Sequence, residues 1–194
     1  MFPSLIDICS YFINKFPVKD NIMDNNFLPF VSITEIEAAK LTGDSSILYD
    51  VFTAPLHEEL YRRNSFDFLD ELNPGQRLLL TFDYVQMQVG QGGFIQLIQN
   101  GYVGLLPELV IQFEALGCKE MSETMDKALQ IYVLNSERLD TPTSVEEFAK
   151  LYNEFQEFAP LDEAFLIYNP IAVDLILKYA LANLQEFVRT EGAS

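Results

Sequence analysis

One stretch limits the possible folds of this chain more than any other, residues 73–100, which read NPGQRLLLTFDYVQMQVGQGGFIQLIQN. Asn73 and Pro74 are typical of a helix start, because Asn caps free backbone amides and Pro suits the first helical position. Gln76 lies where a side chain can close a capping box. An apolar stripe at helical spacing follows, formed by Leu78, Phe82, Val85 and Val89. The stretch therefore predicts a helix, a glycine corner at residues 90–93 that breaks it, and a second apolar segment.

Helical periodicity recurs along most of the chain after residue 45. It predicts helices over residues 47–63, 105–116 and 121–133, with Pro55 expected to kink or split the first and Gly117 to stop the second. Ser144 and Glu147 have the spacing of a capping box and predict another helix start. Pro160 is expected to reset the chain, and Asn169-Pro170 to start a last helix that ends near Arg189. The predicted fold class is therefore all-α, an irregular multi-helix bundle of about seven to nine helices.

The first 45 residues are less regular. They favour a short helix before Pro17, a turn-like segment over residues 20–26 and a second helix over residues 34–41 ended by Gly43, and β structure stays open as an alternative. We interpret residues 1–45 as an N-terminal extension packed on a main helical domain of residues 46–194.

Charge narrows the functional classes. The chain has 29 acidic and 12 basic residues and a net charge of -17, so it is expected to repel nucleic acid and anionic membranes and to favour a basic protein partner. Solubility alone is the simpler explanation of the same charge. No uncharged run approaches the about 18–20 residues that span a bilayer, and the N-terminus makes a poor signal peptide. With only Cys9 and Cys118 and no C-x-x-C pair, a cytoplasmic location is expected.

Acidic residues are concentrated between residues 140 and 163. This segment contains seven acids and one lysine, an excess of six negative charges. The seven are Asp140, Glu146, Glu147, Glu154, Glu157, Asp162 and Glu163. A solvated helix face is the default interpretation. The functional alternative is a partner-binding surface, because Glu147, Glu154 and Asp162 recur every seven to eight residues. If the helices continue, these three form a row that approximates the phosphate spacing of a nucleic acid.

No catalytic, cofactor-binding or metal-binding residues are predicted. The glycine corner lacks the Lys-Ser or Lys-Thr of a phosphate-binding loop, and tight turning explains its glycines better. His57 is the only histidine, which excludes a multi-histidine metal site, and it is expected on a helix surface. Side-chain amides surround the corner and are expected to hold the turn, with an amide-lined pocket as the alternative: Gln86, Gln88, Gln91, Gln96, Gln99 and Asn100.

Three segments of the chain resemble a bacterial family of DNA-mimic proteins. Residues 89–96 (VGQGGFIQ) resemble its V-x-N-G-G-F-x-Q signature, with departures at Gly90 and Gln91. Residues 113–117 (FEALG) resemble its E-A-I-G helix end, and residues 161–168 its L-D-x-x-F-x-x-Y element. The resemblance covers roughly residues 73–182. It marks Gly92, Gly93, Phe94 and Gln96 as structural motif residues.

The resemblance implies an all-helical, non-enzymatic protein. The characterised member of the family is an acidic dimer that occupies the DNA-binding surface of a helix-turn-helix regulator. We therefore expect an acidic binding protein that sequesters a DNA-binding regulator, with a homodimer as the implied assembly. Two alternatives stay open at this point: an immunity-type or regulatory protein that neutralises a basic toxin or enzyme, and a small-ligand-binding or enzymatic domain that uses the amide-rich corner.

Overall fold

Helices form nearly all of the regular structure in residues 27–141 and 144–191, the part of the chain that the computed structural model describes. Within it there are nine α-helices and three short 3-10 helices, and no strand ladder, which confirms the all-α prediction. The α-helices are α1 (Ile33–Thr42), α2 (Ser45–Arg63), α3 (Pro74–Gln99), α4 (Leu106–Ala115), α5 (Lys119–Leu134), α6 (Ser136–Leu139), α7 (Val145–Glu154), α8 (Ala159–Ala182) and α9 (Leu184–Phe187). The 3-10 helices are Phe66–Glu71, Val103–Leu105 and Gln156–Phe158.

Capping side chains fix several helix starts. Asn73 accepts the backbone N–H of Gln76 at 2.9 Å, and the Gln76 side chain accepts the backbone N–H of Asn73 at 3.3 Å, so the predicted capping box of α3 is present. Ser144 and Glu147 form the predicted box at the start of α7. Gly43 ends α1 with a φ of 70°, as expected for a left-handed cap. Local signals therefore mark these boundaries, and at α3 the Gln76 amide is also held by the Phe27 and Phe187 carbonyls.

The described residues form two compact units. One contains Tyr84–Ala172, and the other contains residues 27–83 and 173–191. In the first, Phe94, Phe113, Phe158 and Phe165 are fully buried. In the second, the fully buried phenylalanines are Phe52, Phe68, Phe82 and Phe187. The predicted boundary between an extension and a main domain at residue 45 stays a prediction, and most of that extension, residues 1–26, lies outside the described residues.

Two prolines lie inside long helices rather than between them. α2 continues through Pro55 without splitting. α8 runs from Ala159 to Ala182 through Pro170, so the prediction that Asn169-Pro170 starts a new helix was wrong. Leu166, whose carbonyl would accept the missing N–H of residue 170, is itself exposed, and solvent can satisfy that carbonyl. The last helical turn is Leu184–Phe187, which ends two residues before Arg189.

Sequence analysis allowed β structure in the first 45 residues as an alternative. Among the described residues, this segment contains only one isolated β-bridge. Phe30 pairs in parallel with Arg189, and the backbone N–H of Val31 donates to the Arg189 carbonyl at 3.0 Å. This contact joins the start of the described chain to its end within one unit. Helix α1 follows directly, capped by Ser32, whose hydroxyl accepts the Glu35 N–H at 3.0 Å.

By length and composition alone, the segment Gln156–Ala182 is apolar enough to cross a membrane. The core helix of a globular protein passes the same test, and a third of the relevant window is buried within the structure. Five charged residues interrupt this segment: Glu157, Asp162, Glu163, Asp174 and Lys178.

Candidate partner-binding surface

The glycine corner is a sharp bend inside α3. Gly90 and Gln91 are still helical, so the predicted break at residues 90–93 is confined to Gly92 and Gly93. Gly93 has φ 67° and ψ −172°, a region that is essentially restricted to glycine. A Cβ atom on Gly93 would lie 2.3 Å from a carboxylate oxygen of Asp162. Both the backbone conformation and the space at this position therefore require glycine.

Asp162 occupies the space that a side chain at residue 93 would take. Its Oδ1 accepts the backbone N–H of Phe94 at 2.8 Å, although 68 residues separate the two in sequence. The helix restarts at Phe94 and leaves its first N–H groups without intrahelical partners, so this carboxylate acts as a cap supplied by α8. This contact joins two of the three segments that carry the family resemblance, residues 89–96 and residues 161–168.

Two more contacts hold the corner in place. The ring of Phe94 packs edge-on against Phe165, with 5.8 Å between ring centroids, and lies 6.4 Å from Phe158. The Tyr152 hydroxyl donates to the Gly92 carbonyl at 2.7 Å, so a carbonyl freed by the bend is satisfied from α7. The corner is therefore a packed junction of α3, α7 and α8.

Burial changes the acidity of the side chains at this junction. It raises the pKa of the Asp162 carboxyl, an effect that the Phe94 N–H partly opposes. Burial also raises the pKa of the Tyr152 hydroxyl, and the nearby Asp162 charge adds to that effect. Raised carboxyl pKa values are found at catalytic sites. Here the carboxylate is already used as a helix cap, which accounts for its position without any catalytic role.

The amide cluster is largely bonded to itself across the corner. Gln96 donates to Gln91 at 3.2 Å and to Gln88 at 3.4 Å, and Asn100 donates to Gln88 at 2.6 Å. These bonds connect residues before the bend with residues after it, as expected of amides that hold the turn. Gln99 instead donates to the carbonyl of Leu139, the last residue of α6. The use of Gln96 and Asn100 in holding the turn removes the main support for an amide-lined pocket.

His57 lies on α2 and is half-buried rather than fully on the surface. Its Nε2 lies 2.7 Å from Oδ2 of Asp83 on α3. The ring also stacks on Tyr61, with 5.9 Å between centroids. These contacts connect two helices of the same unit and give the histidine a packing role. Among residues 27–141 and 144–191, no group of three or more His, Cys, Asp or Glu side chains is placed to hold a metal ion.

Most of the seven predicted acids face solvent. Six are exposed, namely Asp140, Glu146, Glu147, Glu154, Glu157 and Glu163, and Asp162 is half-buried in the junction described above. All seven belong to the unit that contains Tyr84–Ala172. They do not lie on one continuous helix, because α7 ends at Glu154 and Phe155 leaves the helical region with φ −118° and ψ 59°. The condition for a single helical row of Glu147, Glu154 and Asp162 is therefore not met.

Several of these acids already have local partners. Glu154 pairs with Arg138, with 3.0 Å between the Glu154 Oε2 and Arg138 Nη2 atoms. Asp140 accepts the Tyr132 hydroxyl at 2.7 Å. In the part of the chain that the structure describes, the members of the seven without a side-chain or capping partner are Glu146, Glu157 and Glu163. These three carboxylates are the ones most available to an external cation.

A groove that the sequence did not predict lies beside Glu157. It has a volume of about 540 Å³ and is lined on one side by α5 and Asn135 and on the other by Glu157 and Leu161. The α5 residues that line it are Glu123, Asp126, Lys127, Gln130, Ile131 and Leu134. Their spacing of three and four residues is a helix face, opposite the buried face that contains Met125, Ala128 and Leu129. The sequence signal for this groove is the pair Ile131 and Leu134, apolar residues at helical spacing on an otherwise polar face of α5. In the structure, Leu134 is 56% exposed on that face.

The fold and these surfaces define an acidic, all-helical protein whose glycine corner is structural and whose acids between residues 140 and 163 mostly face solvent. A family model described as DMP19-like protein matches residues 70–183. That match covers more than half of the chain, which therefore belongs to the DMP19-like family. It also agrees with the resemblance seen over residues 73–182.

A curated relative extends the comparison beyond the family core. The chain is 26% identical over 159 residues to a protein named DNA mimic protein DMP19, from Neisseria meningitidis serogroup B (strain ATCC BAA-335 / MC58). The alignment covers 80% of this chain and 95% of the relative. The similarity therefore spans nearly the whole of that protein.

Proposed function

We propose that this chain is a non-enzymatic DNA mimic, which presents surface carboxylates to the DNA-binding surface of a regulator and so keeps that regulator from DNA. Membership of the DMP19-like family and the name of the Neisseria relative support this class of function. A homodimer, as the family resemblance implies, is part of the proposal. Light scattering of the purified protein checks it.

One observation carries the proposal, the availability of Glu146, Glu157 and Glu163. They are exposed in one unit and have no cationic partner among the described residues. A DNA-binding surface is rich in Lys and Arg, which form their strongest contacts with phosphate oxygens. Carboxylates that no internal cation neutralises are able to replace those phosphates. The chain's net charge of -17 adds long-range attraction toward the same surface.

The test is a DNA competition assay on a partner captured from native lysate. Purified protein is used as bait, bound proteins are eluted with a salt gradient, and the DNA bound by each captured protein is identified. Fluorescein-labelled DNA is then bound to the captured partner, and the loss of its anisotropy is followed as the unlabelled protein is added. Because charge pairs at such an interface are screened by salt, displacement is expected to weaken as salt rises.

A pair of charge variants separates a specific surface from general acidity. The test variant combines Glu146→Gln, Glu157→Gln and Glu163→Gln. The control combines Glu35→Gln, Glu58→Gln and Glu114→Gln. These three acids are exposed and lie outside residues 140–163, and replacing them removes the same amount of charge. Since each exposed charge contact is worth roughly 0.2–1 kcal/mol, the test variant is expected to displace DNA about tenfold less effectively than wild type. Equal effects of both variants would contradict a specific surface.

The identity of the partner decides between the proposal and its alternative. Displacement of DNA from a captured DNA-binding protein supports mimicry. Capture of only a toxin or enzyme that binds no DNA would overturn it and favour the immunity-type function.

A further inference from the structure

The groove on α5 has apolar walls, which a mimic that binds by charge alone does not need. Ile131, Leu134 and Leu161 give it apolar walls, and Leu134 is more than half exposed. Because the three apolar side chains share one concave site, covering them together with an apolar partner would be favourable. Glu157, one of the three available acids, lies at the edge of the same groove. The acidic surface and the apolar groove are therefore adjacent.

The length of the groove matches a short helix. The lining residues on α5 run from Glu123 to Leu134 at positions i, i+3, i+4, i+7, i+8 and i+11. At 1.5 Å per residue, this face is about 17 Å long, which corresponds to about three turns of a facing helix. Helices that dock in grooves of this kind use apolar anchors at i, i+3 or i+4, and i+7.

The charges around the groove select a cationic occupant. Glu123 has Lys119 at 3.6 Å and Lys127 at 3.9 Å, so its charge is compensated within α5. Asp126 and Glu157 have no cationic partner among the described residues. Asp126 accepts only the Gln130 amide at 2.8 Å through Oδ2, and its buried Oδ1 receives no hydrogen bond from the described part of the chain. A carboxylate with so few donors keeps its negative charge uncompensated, and a cationic side chain in the groove would be attracted to it.

A second copy of this chain is a poor occupant of this groove, because the uncompensated carboxylates at its edge disfavour another acidic surface. This local argument leaves the proposed homodimer to other faces of the chain. A basic helix with apolar anchors fits both the walls and the charge. B-DNA offers a comparable environment, since its major groove admits an α-helix between phosphates and presents thymine methyl groups on its floor.

We propose that the α5 groove binds a basic amphipathic helix of the partner protein, with Leu134 contacting its apolar anchor and Asp126 and Glu157 contacting its cations. The proposal rests on the proposed function, because it names the part of the mimic that receives the regulator's helix. It differs from charge mimicry in requiring an apolar contact.

The test uses a synthetic helical peptide of about 16 residues as the probe. It is fluorescein-labelled, with leucines at i, i+3, i+4 and i+7 and arginines on either side of that stripe. Its affinity for the full-length protein is measured by fluorescence anisotropy. The control peptide replaces the leucines with serines and keeps every arginine, so both peptides have the same charge.

Two matched pairs of variants locate the binding site. Leu134→Ser is compared with Ile111→Ser, because Ile111 lies on α4 outside the groove and is also 56% exposed. Glu157→Gln is compared with Glu114→Gln, an exposed acid on α4. We expect about five- to tenfold weaker peptide binding for Leu134→Ser and about two- to fivefold for Glu157→Gln, with wild-type affinity for both controls. Circular dichroism confirms that each variant is folded.

Two outcomes would overturn the groove proposal. One is equal binding of the leucine and serine peptides, and the other is wild-type affinity in Leu134→Ser, since each means that acidity alone attracts the probe. The DNA displacement assay keeps this failure separate from that of the proposed function. If wild type displaces DNA and Leu134→Ser displaces it equally well, mimicry stands and the groove proposal fails. If wild type displaces no DNA, mimicry fails whatever the peptide does.

Discussion

Replacing Gly93 with alanine is expected to destabilise the protein more than the same replacement at Gly90 or Gly117. Gly93 has φ 67° and ψ −172°, and an added Cβ would lie 2.3 Å from Asp162 Oδ2 and 2.6 Å from its Cγ. The carboxylate cannot move aside without losing the Phe94 N–H that it accepts at 2.8 Å. The substitution therefore combines backbone strain with the loss of a helix cap.

The magnitude follows from these two effects. Holding a residue other than glycine in this backbone region costs about 1–3 kcal/mol. Losing a capping carboxylate costs about 0.5–2 kcal/mol. Together they give an expected loss of about 3 kcal/mol in the free energy of unfolding. That is a large fraction of the roughly 5–15 kcal/mol that stabilises a typical domain.

Urea unfolding, followed by far-ultraviolet circular dichroism, measures this loss. Two further glycines separate its causes. Gly117 has φ 78° and no atom within 4 Å of an added Cβ, so Gly117→Ala introduces strain alone and is expected to cost about 1–2 kcal/mol. Gly90 is helical, and an added Cβ there also meets no atom within 4 Å, so Gly90→Ala is expected to stabilise the protein by about 0.5–1 kcal/mol.

The order Gly90→Ala, wild type, Gly117→Ala, Gly93→Ala, from most to least stable, is the expected result. A Gly93→Ala variant as stable as Gly117→Ala would show that Asp162 does not occupy the space beside Gly93. Stability equal to wild type would mean that neither the backbone strain nor the cap exists at the corner.

Four further predictions concern the same junction and the start of α7. Burial raises the pKa of Asp162 above its ordinary value of 3.8, so the folded chain holds that proton more tightly than the unfolded chain. As pH rises through and above 3.8, wild type should therefore lose stability relative to Asp162→Asn, as measured by urea titrations. Asp162→Ala, which removes the acceptor, should lose about 1 kcal/mol at pH 7. Tyr152→Phe removes the bond to the Gly92 carbonyl and should lower the free energy of unfolding by about 0.5–1 kcal/mol; no change would argue against that bond in solution. Ser144→Ala should cost about 1 kcal/mol through the lost cap, whereas Glu147→Gln, which keeps an acceptor at that position, should leave the urea midpoint unchanged.

Local chemistry was sufficient to predict several helix boundaries. Asn73 with Gln76, and Ser144 with Glu147, form the expected capping boxes because each box depends only on residues three positions apart. Pro170 shows the limit of the same reasoning. A proline is a helix breaker when its neighbours cannot satisfy the freed carbonyl, and the exposure of Leu166 is a property of the folded chain that periodicity does not reveal.

The candidate surface was predictable in composition but not in arrangement. The sequence showed seven acids between residues 140 and 163, and six of them are exposed in the structure. Asp162 differs because it caps a helix 68 residues away in sequence, a relation that only tertiary structure creates. The groove beside Glu157 was missed for a similar reason, since its second wall comes from Leu161 rather than from α5.

Displacement of DNA from the captured partner, measured over a range of salt concentrations, is the decisive measurement for DNA mimicry. Mimicry predicts that wild type displaces the labelled DNA at low salt and less effectively at high salt. It also predicts that the variant lacking the charges of Glu146, Glu157 and Glu163 displaces it about tenfold less effectively than the control variant with the same net charge. A partner that binds this protein and its DNA at the same time would contradict mimicry.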